Sequence, residues 1–182
     1  RELKMLETGE AYGIVSPWYR PVDRPYLYYS DSFFREEKVI VTILENNSNL
    51  IWPNDFKNKK IGINRGYSVI NNEDKKNLKI EEANEINENL LKLFSKRIDF
   101  YINDKNAILW ELNRMINSKI LSNEDGKKLK ITKILGEEDR YMGYSKNYKN
   151  RSIKFENEIN KEIKNLKNGK ELELILSRYN LT

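Results

Sequence analysis

The sequence predicts an α/β protein, on three observations. Between residues 60 and 117, strand-like and helix-like stretches alternate, which argues for a parallel sheet with helices on its faces. Apolar residues keep a period of two in "KKIGIN" and "RIDFYIND", and a three-and-four spacing in "INENLLKLFSK" and "KNAILWELNRMIN". The chain has 182 residues, 38% of them hydrophobic, with 11 Tyr, 6 Phe and 3 Trp, enough to fill a core in one or two domains.

The elements follow in order. "RELKMLETGE" reads as a helix with Leu3 and Leu6 on one side and Gly9 as its C-terminal cap. "AYGIVSPW" is a short strand, and "YRPVDRPYLYYSD" a Pro-containing loop rich in Tyr and Arg. "FREEKVIVTIL" gives a strand centred on Val39 to Leu44, and "ENNSNLIWPNDFKNK" a polar connector. "KKIGINRGYSVI" is a strand, an Arg65-Gly66 turn, and a helix opening at Ser68, with a break expected in "NNEDKK". "LKIEEAN" is the next strand and "INENLLKLFSK" an amphipathic helix. "RIDFYIND" is a third strand, and "KNAILWELNRMIN" a helix with Ile108, Leu112, Met115 and Ile116 on one face. "GKKLKITKIL" and "RYMGYSKN" read as further strands. The tail is a helix with Ile153, Ile159, Ile163 and Leu166 as a core stripe, broken at Gly169, then a helix with Leu172, Ile175 and Tyr179.

Composition excludes several chemistries. With no His and no Cys, the Ser-His-Asp and Cys-His mechanisms, thiolate or imidazole metal sites and thiol redox chemistry are out of reach, and no cofactor is expected. The net charge of +5 and pI near 9.1 come from lysines interleaved with Glu, Asp and Asn, which describes solvated faces rather than a phosphate-tracking stripe. No nucleic-acid partner is expected. No run approaches the roughly 18 apolar residues of a membrane span. The chain opens at Arg1 inside an apparent helix with no leader-type sequence, so an upstream portion, signal sequence included, is expected to precede it.

Asp104 sits where the rhythm of "RIDFYINDKNAILWEL" changes from strand to helix. One reading is an N-cap, its carboxylate accepting backbone N–H groups at the start of the helix. The other is a ligand group, because open α/β sheets bind outside the carboxyl ends of their strands. A catalytic pair of Asp99 and Asp104 is disfavoured: residues five apart on a strand face opposite sides, and the chain is not expected to be an enzyme.

The ordered set of "GE" after a leucine-bearing helix, an Arg loop, "YYSDSF", "FKNKKIGINRGYS", "LLKLFSKRIDFYINDKNAI", "RYMGYSKN" and "NGKELELILSRY" resembles the bacterial extracellular solute-binding proteins of family 3, the amino-acid-binding type. That family carries "GE(x)D", "T(x)ER", "FSDPY", "GT(S/T)" and "GR(x)DA(x)(x)(x)D" at corresponding places. The resemblance implies a two-lobed periplasmic-binding-protein-like fold of type II, each lobe a mainly parallel sheet flanked by helices. Residues 1–46 plus 141–182 would form lobe 1, incomplete at its N-terminus, and residues 47–140 lobe 2, with Val39–Leu44 and Tyr141–Lys146 as crossing strands.

Residue by residue, the resemblance places Arg24 on a ligand α-carboxylate as a bidentate fork, with Arg20 as a competitor. It puts Gly66, Tyr67 and Ser68 at an anion-accepting turn, Asp104 on an α-ammonium and Asp99 in a structural role. Trp18 and Tyr19 are candidate stacking aromatics. The implied function is extracytoplasmic binding of a small polar solute, an amino acid or relative, by hinge closure, for delivery to the membrane permease of an ABC importer. The alternative is the ligand-sensing domain of a signalling receptor. A monomer is expected, periplasmic or extracellular, with or without a lipid anchor. Tyr12, in place of the Asp of "GE(x)D", and Lys96, in place of the Gly before "RID", mark a divergent branch.

Overall fold

The computed structural model describes residues 1–15, 17, 19–43, 49–67 and 70–179. The elements in chain order are α1 (Glu2–Thr8), β1 (Gly13–Val15), β2 (Leu27–Tyr29), β3 (Phe34–Thr42), β4 (Lys60–Asn64), α2 (Asn72–Lys76), β5 (Lys79–Ala83), α3 (Ile86–Phe94), β6 (Phe100–Asp104), α4 (Lys105–Asn117), α5 (Asn123–Gly126), β7 (Lys130–Arg140), β8 (Met142–Ser145), α6 (Ile153–Asn168) and α7 (Glu171–Arg178). They divide into two compact units, one of Arg1–Glu36 and Glu138–Arg178, the other built on Glu37–Glu137. The chain passes between units inside β3 and near the end of β7, earlier in sequence than the crossing strands read from the sequence.

The second unit holds a five-stranded sheet in the order β5-β4-β6-β3-β7. β5, β4 and β6 run parallel, and β3 enters antiparallel to β6 with Ile40 opposite Ile102. Alternation sorts the side chains to two faces. Val39, Val41 and Tyr101 join Leu90 and Leu93 of α3 and Ile108, Leu112 and Met115 of α4 in one buried layer. Ile40, Ile61, Ile63, Phe100 and Ile102 point the other way onto Phe56 of a 3-10 turn, with Trp52, Ile70 and Leu78 around it. At Gly62 the alternation meets a close approach. A Cβ there would sit 2.6 Å from Ile98 Cδ1 and 2.8 Å from Asn89 Oδ1, so only glycine lets α3 seat this near the strand.

The α3 start is fixed by a capping box, with the Glu85 side chain on the third-residue N–H and Glu88 reaching back to the Glu85 N–H. α4 spans the residues that the periodicity predicts. α2 does not: it occupies "NEDKK", where a break was expected, and starts at Asn72 because Asn71 caps it, accepting from the Asp74 N–H at 2.7 Å.

The first unit differs from the expected parallel lobe. Its three-stranded sheet, β1-β8-β2, is antiparallel throughout, with Gly13 opposite Tyr144 and Leu27 opposite Ser145. Parallel neighbours need a crossover of a dozen or so residues, usually helical. The stretch from β1 to β2 carries Pro17, Pro21 and Pro25 and has no helix among its described residues, so β8 runs between the two in the opposite sense. β2 itself lies within the segment that reads as a loop.

α1 ends at Gly9 in the left-handed conformation, φ 77°, as its sequence predicts. On α6 the stripe is only partly buried: Ile163 is enclosed but Ile153 is exposed, and the fully buried position one turn in belongs to Glu156. Arg151 answers it with two hydrogen bonds, Nε to Oε1 at 2.8 Å and Nη2 to Oε2 at 2.7 Å, and the Tyr12 hydroxyl donates to Oε1 at 3.2 Å. The Arg151 guanidinium lies 5.1 Å from the centre of the Tyr28 ring. Tyr12 is thus a scaffold residue, tying β1 to α6.

Two changes test these contacts. Gly62→Ala should destabilise the protein by about 1–3 kcal/mol through overpacking against Ile98 and Asn89, read as a lower urea midpoint at unchanged slope; an unchanged midpoint would show that α3 has room to move. Arg151→Ala strands a buried carboxylate and should cost about 3 kcal/mol, part of which Glu156→Gln in the same chain restores. If the single and double variants unfold alike, the pair is not what holds α6.

Candidate ligand site at the divergence of β4 and β6

β4 and β6 are parallel neighbours, yet the chain leaves their carboxyl ends in opposite directions. After β4 it turns to β5 at one edge of the sheet; after β6 it runs through α4 toward β7 at the other. The region outside the strand ends at such a divergence is the place where open α/β sheets take ligands. Here it is bounded by the turn Asn64-Arg65-Gly66-Tyr67 on one side and by Asn103-Asp104 on the other.

The turn is closed by the Tyr67 N–H on the Asn64 carbonyl at 3.2 Å, and the Arg65 N–H extends the ladder to Ala83 O at 2.8 Å. Gly66 sits at φ 79°, a conformation that costs glycine nothing. A Cβ there would meet no atom within 4 Å, so the demand for glycine is conformational rather than steric. Tyr67 is 49% exposed.

Asp104 closes β6 and occupies the N-cap position of α4 with φ −66° and ψ 133°, but its side chain makes no capping hydrogen bond. Its own N–H donates to Asn103 Oδ1 at 2.8 Å, and the next residue, Lys105, pairs with Glu37 at 2.7 Å.

Beneath the rim lies a polar network that the sequence reading passed over. Asn64, Asn89, Tyr101 and Asn103 are all at most 3% exposed. The Tyr101 hydroxyl donates to Asn64 Oδ1 at 2.7 Å and accepts from Asn103 Nδ2 at 2.6 Å. Asn103 Nδ2 and Asn89 Nδ2 also reach Asn64 Oδ1, at 3.2 and 3.3 Å, and Asn89 Nδ2 donates to Ile63 O at 3.1 Å. Asn64 Nδ2 donates to Asn84 O at 3.2 Å. Asn89 Oδ1 finds no donor among the described residues. Burial pushes the Tyr101 phenol well above its ordinary value, and the nearby Tyr67 and Asp104 push the same way against the hydrogen bond from Asn103. The signal available in the sequence was an Asn at an inward position of each otherwise apolar strand, "IGIN" and "FYIND".

Of the predicted site residues, Gly66, Tyr67 and Asp104 therefore share the ends of adjacent strands in the second unit. Among the described residues, the helix that follows this turn is α2, starting at Asn72. Ser68 and Trp18 lie outside the described residues. Arg24 and Tyr19 belong to the first unit. Arg24 is half-buried in the turn before β2, its N–H on Arg20 O at 2.9 Å. The competitor Arg20 has its guanidinium on Tyr19 O at 2.9 Å and 3.9 Å from Glu138. Tyr19, half exposed, packs on Tyr29 and Tyr141 with ring centres 4.9 and 5.3 Å away. Asp99 is structural, its Oδ2 accepting from the Lys60 N–H at 2.8 Å.

No family model matches the sequence, and no curated protein does. Solved structures do match. A mutant of ArgBP from T. maritima aligns with a TM-score of 0.69 at 18% identity, over 100% of this chain and 74% of that one. The periplasmic VFT2 domain of BvgS from Bordetella pertussis gives 0.67 at 18%, over 98% and 71%. The second substrate-binding domain of a protein assigned as an amino acid ABC transporter in Streptococcus pneumoniae gives 0.62 at 19%, over 97% and 76%. At such identities the likeness fixes the fold, a periplasmic-binding-protein-like α/β architecture of two units. Among the described residues no helix is long and apolar enough to cross a membrane.

The Tyr101 phenol has a definite signature. A raised folded-state pKa stabilises the native chain fully below the ordinary tyrosine value of about 10, and that contribution is lost as pH climbs beyond it. In an alkaline titration followed at 295 nm, the difference between wild type and Tyr101→Phe should be a phenol that ionises only as the protein unfolds. Ionisation near pH 10 in the native chain would show that the hydroxyl is not buried.

Proposed function

We propose that this chain binds a small polar solute outside the cytoplasm, an amino acid or a close relative, by hinge closure, and hands it to the membrane permease of an ABC importer. The observation that carries the reading is Asp104, a carboxylate at the β4–β6 divergence whose side chain does not cap the helix it precedes. A carboxylate in that position suits an α-ammonium, which needs a partner once water is excluded. Arg24 supplies the matching fork for the α-carboxylate. Gly66 and Tyr67 line the turn facing Asp104 across the strand ends, and Tyr19 offers an aromatic face. Trp18 and Ser68 complete the proposed set on the strength of the family resemblance. The permease, the extracytoplasmic location and the monomeric state rest on the same resemblance, with the ArgBP and transporter-domain likenesses as support. Action by binding, without catalysis, is part of the same reading.

The likeness to the BvgS domain keeps a sensor role as a second reading, in which closure would be passed to a signalling domain rather than to a permease. Both readings share the solute site.

The test is thermal unfolding with a panel of the standard amino acids and small organic acids and cations. A compound at a hundred times its dissociation constant should stabilise by about 2.7 kcal/mol, a rise of roughly 5–10 °C for a chain of this size. Asp104→Asn, which keeps a capping-competent side chain and drops the charge, should abolish the rise, as should Arg24→Ala, whereas Arg20→Ala should keep it. A panel without a stabilising compound, or an undiminished rise in Asp104→Asn, would end the proposal.

A further inference from the structure

We infer that Tyr101 is the positioning residue of this site: its hydroxyl, clamped between Asn64 and Asn103, sets the end of β6 and with it the carboxylate of Asp104. The inference deepens the solute-binding reading and rests on it.

The interior of a strand is an expensive place for polar groups, since each buried amide or hydroxyl must find a partner inside the protein. This sheet carries three side by side, Asn64, Tyr101 and Asn103, with Asn89 of α3 against them, where apolar residues would fill the same space. Tyr101 and Asn103 are two apart on β6 and face the same layer, toward α3 and α4. Asn64 is the last residue of β4. The Tyr101 hydroxyl touches both Asn64 and Asn103, donating to one at 2.7 Å and accepting from the other at 2.6 Å, beside the direct bond from Asn103 Nδ2 to Asn64 Oδ1 at 3.2 Å. Asn103 then passes the constraint outward through Oδ1, which holds the Asp104 N–H at 2.8 Å. Asn89 anchors the far end of the chain to α3 and to Ile63 O.

The β4–β6 ladder stops short of Asn64 and Asn103. The paired register runs from Ile61 opposite Phe100 to Gly62 opposite Tyr101, and side-chain bonds take over where the strands part. Backbone pairing cannot hold two ends whose chains diverge; the asparagines and the tyrosine do so instead. The bonds among Asn64, Tyr101 and Asn103 restrict the geometry of the strand end, which is what a binding carboxylate requires, since an ion pair loses worth when its partners are held loosely.

The closing experiment reads position and affinity separately. Amide hydrogen exchange is measured in the solute-free protein, and binding of L-arginine and L-glutamine by calorimetry. Tyr101→Phe removes the hydroxyl and keeps the ring. Exchange at the Asp104 amide should accelerate about tenfold, the worth of one hydrogen bond, while the amides of Val41 and Ile61 keep their rates, and affinity for whichever probe binds should fall by a similar factor. Asn103→Ala breaks the same link from the other side and should reproduce both effects, which covers the case in which Tyr101→Phe fails to fold. An unchanged Asp104 amide in either folded variant overturns the positioning role, as does uniform acceleration across the sheet, the mark of a merely structural tyrosine. If the Asp104 amide responds but wild type binds neither probe, positioning of the β6 end stands and binding of these two amino acids at the site is ruled out.

Discussion

Two parallel strands that must stay together while their chains part is the constraint on which this protein's second unit is built. β4 and β6 lie side by side because Ile61, Ile63, Phe100 and Ile102 fill one face of the sheet and Tyr101, Val39 and Val41 the other. Their connections leave in opposite directions, so the ladder cannot continue past Gly62 and Tyr101. Hydrogen bonds among Asn64, Tyr101 and Asn103 close the gap. The same network reaches the end of β6, where Asn103 Oδ1 accepts from the Asp104 N–H.

The first unit solves a different problem. Its small antiparallel sheet has little apolar surface to offer, and several large hydrophobics around it, among them Val15, Ile153 and Phe155, are exposed. A buried ion pair does part of the work that a core would do. Glu156 and Arg151 join α6 to the sheet through Tyr12, and the charged pair is tolerated because nearly every lone pair and N–H involved has a partner.

Much of the α/β unit was legible in the sequence because its apolar residues repeat with the period of the element they form. α3, β6 and α4 emerge almost residue for residue from "INENLLKLFSK", "RIDFYIND" and "KNAILWELNRMIN". α2 was not legible, being five residues long and set by a single asparagine cap with no apolar stripe to announce it. β2 hid inside a loop because three residues are too few for a period, and Leu27 alone is buried. At the site, Gly66 and Asp104 stood out by residue type and place. Asn64, Tyr101 and Asn103 did not, because an Asn among apolar strand residues can mark a polar interior but does not say which neighbour it bonds to.

The sequence by itself determined the alternation of strand and helix, the face each residue takes, and the absence of imidazole and thiol chemistry, since all of these follow from residue type and local spacing. Only the tertiary structure decided the strand order β5-β4-β6-β3-β7, the antiparallel sense of the first sheet, and whether Asp104 caps its helix. Those depend on contacts between residues far apart in the chain, where the free energy of a pairing rests on both partners at once and no single stretch contains it.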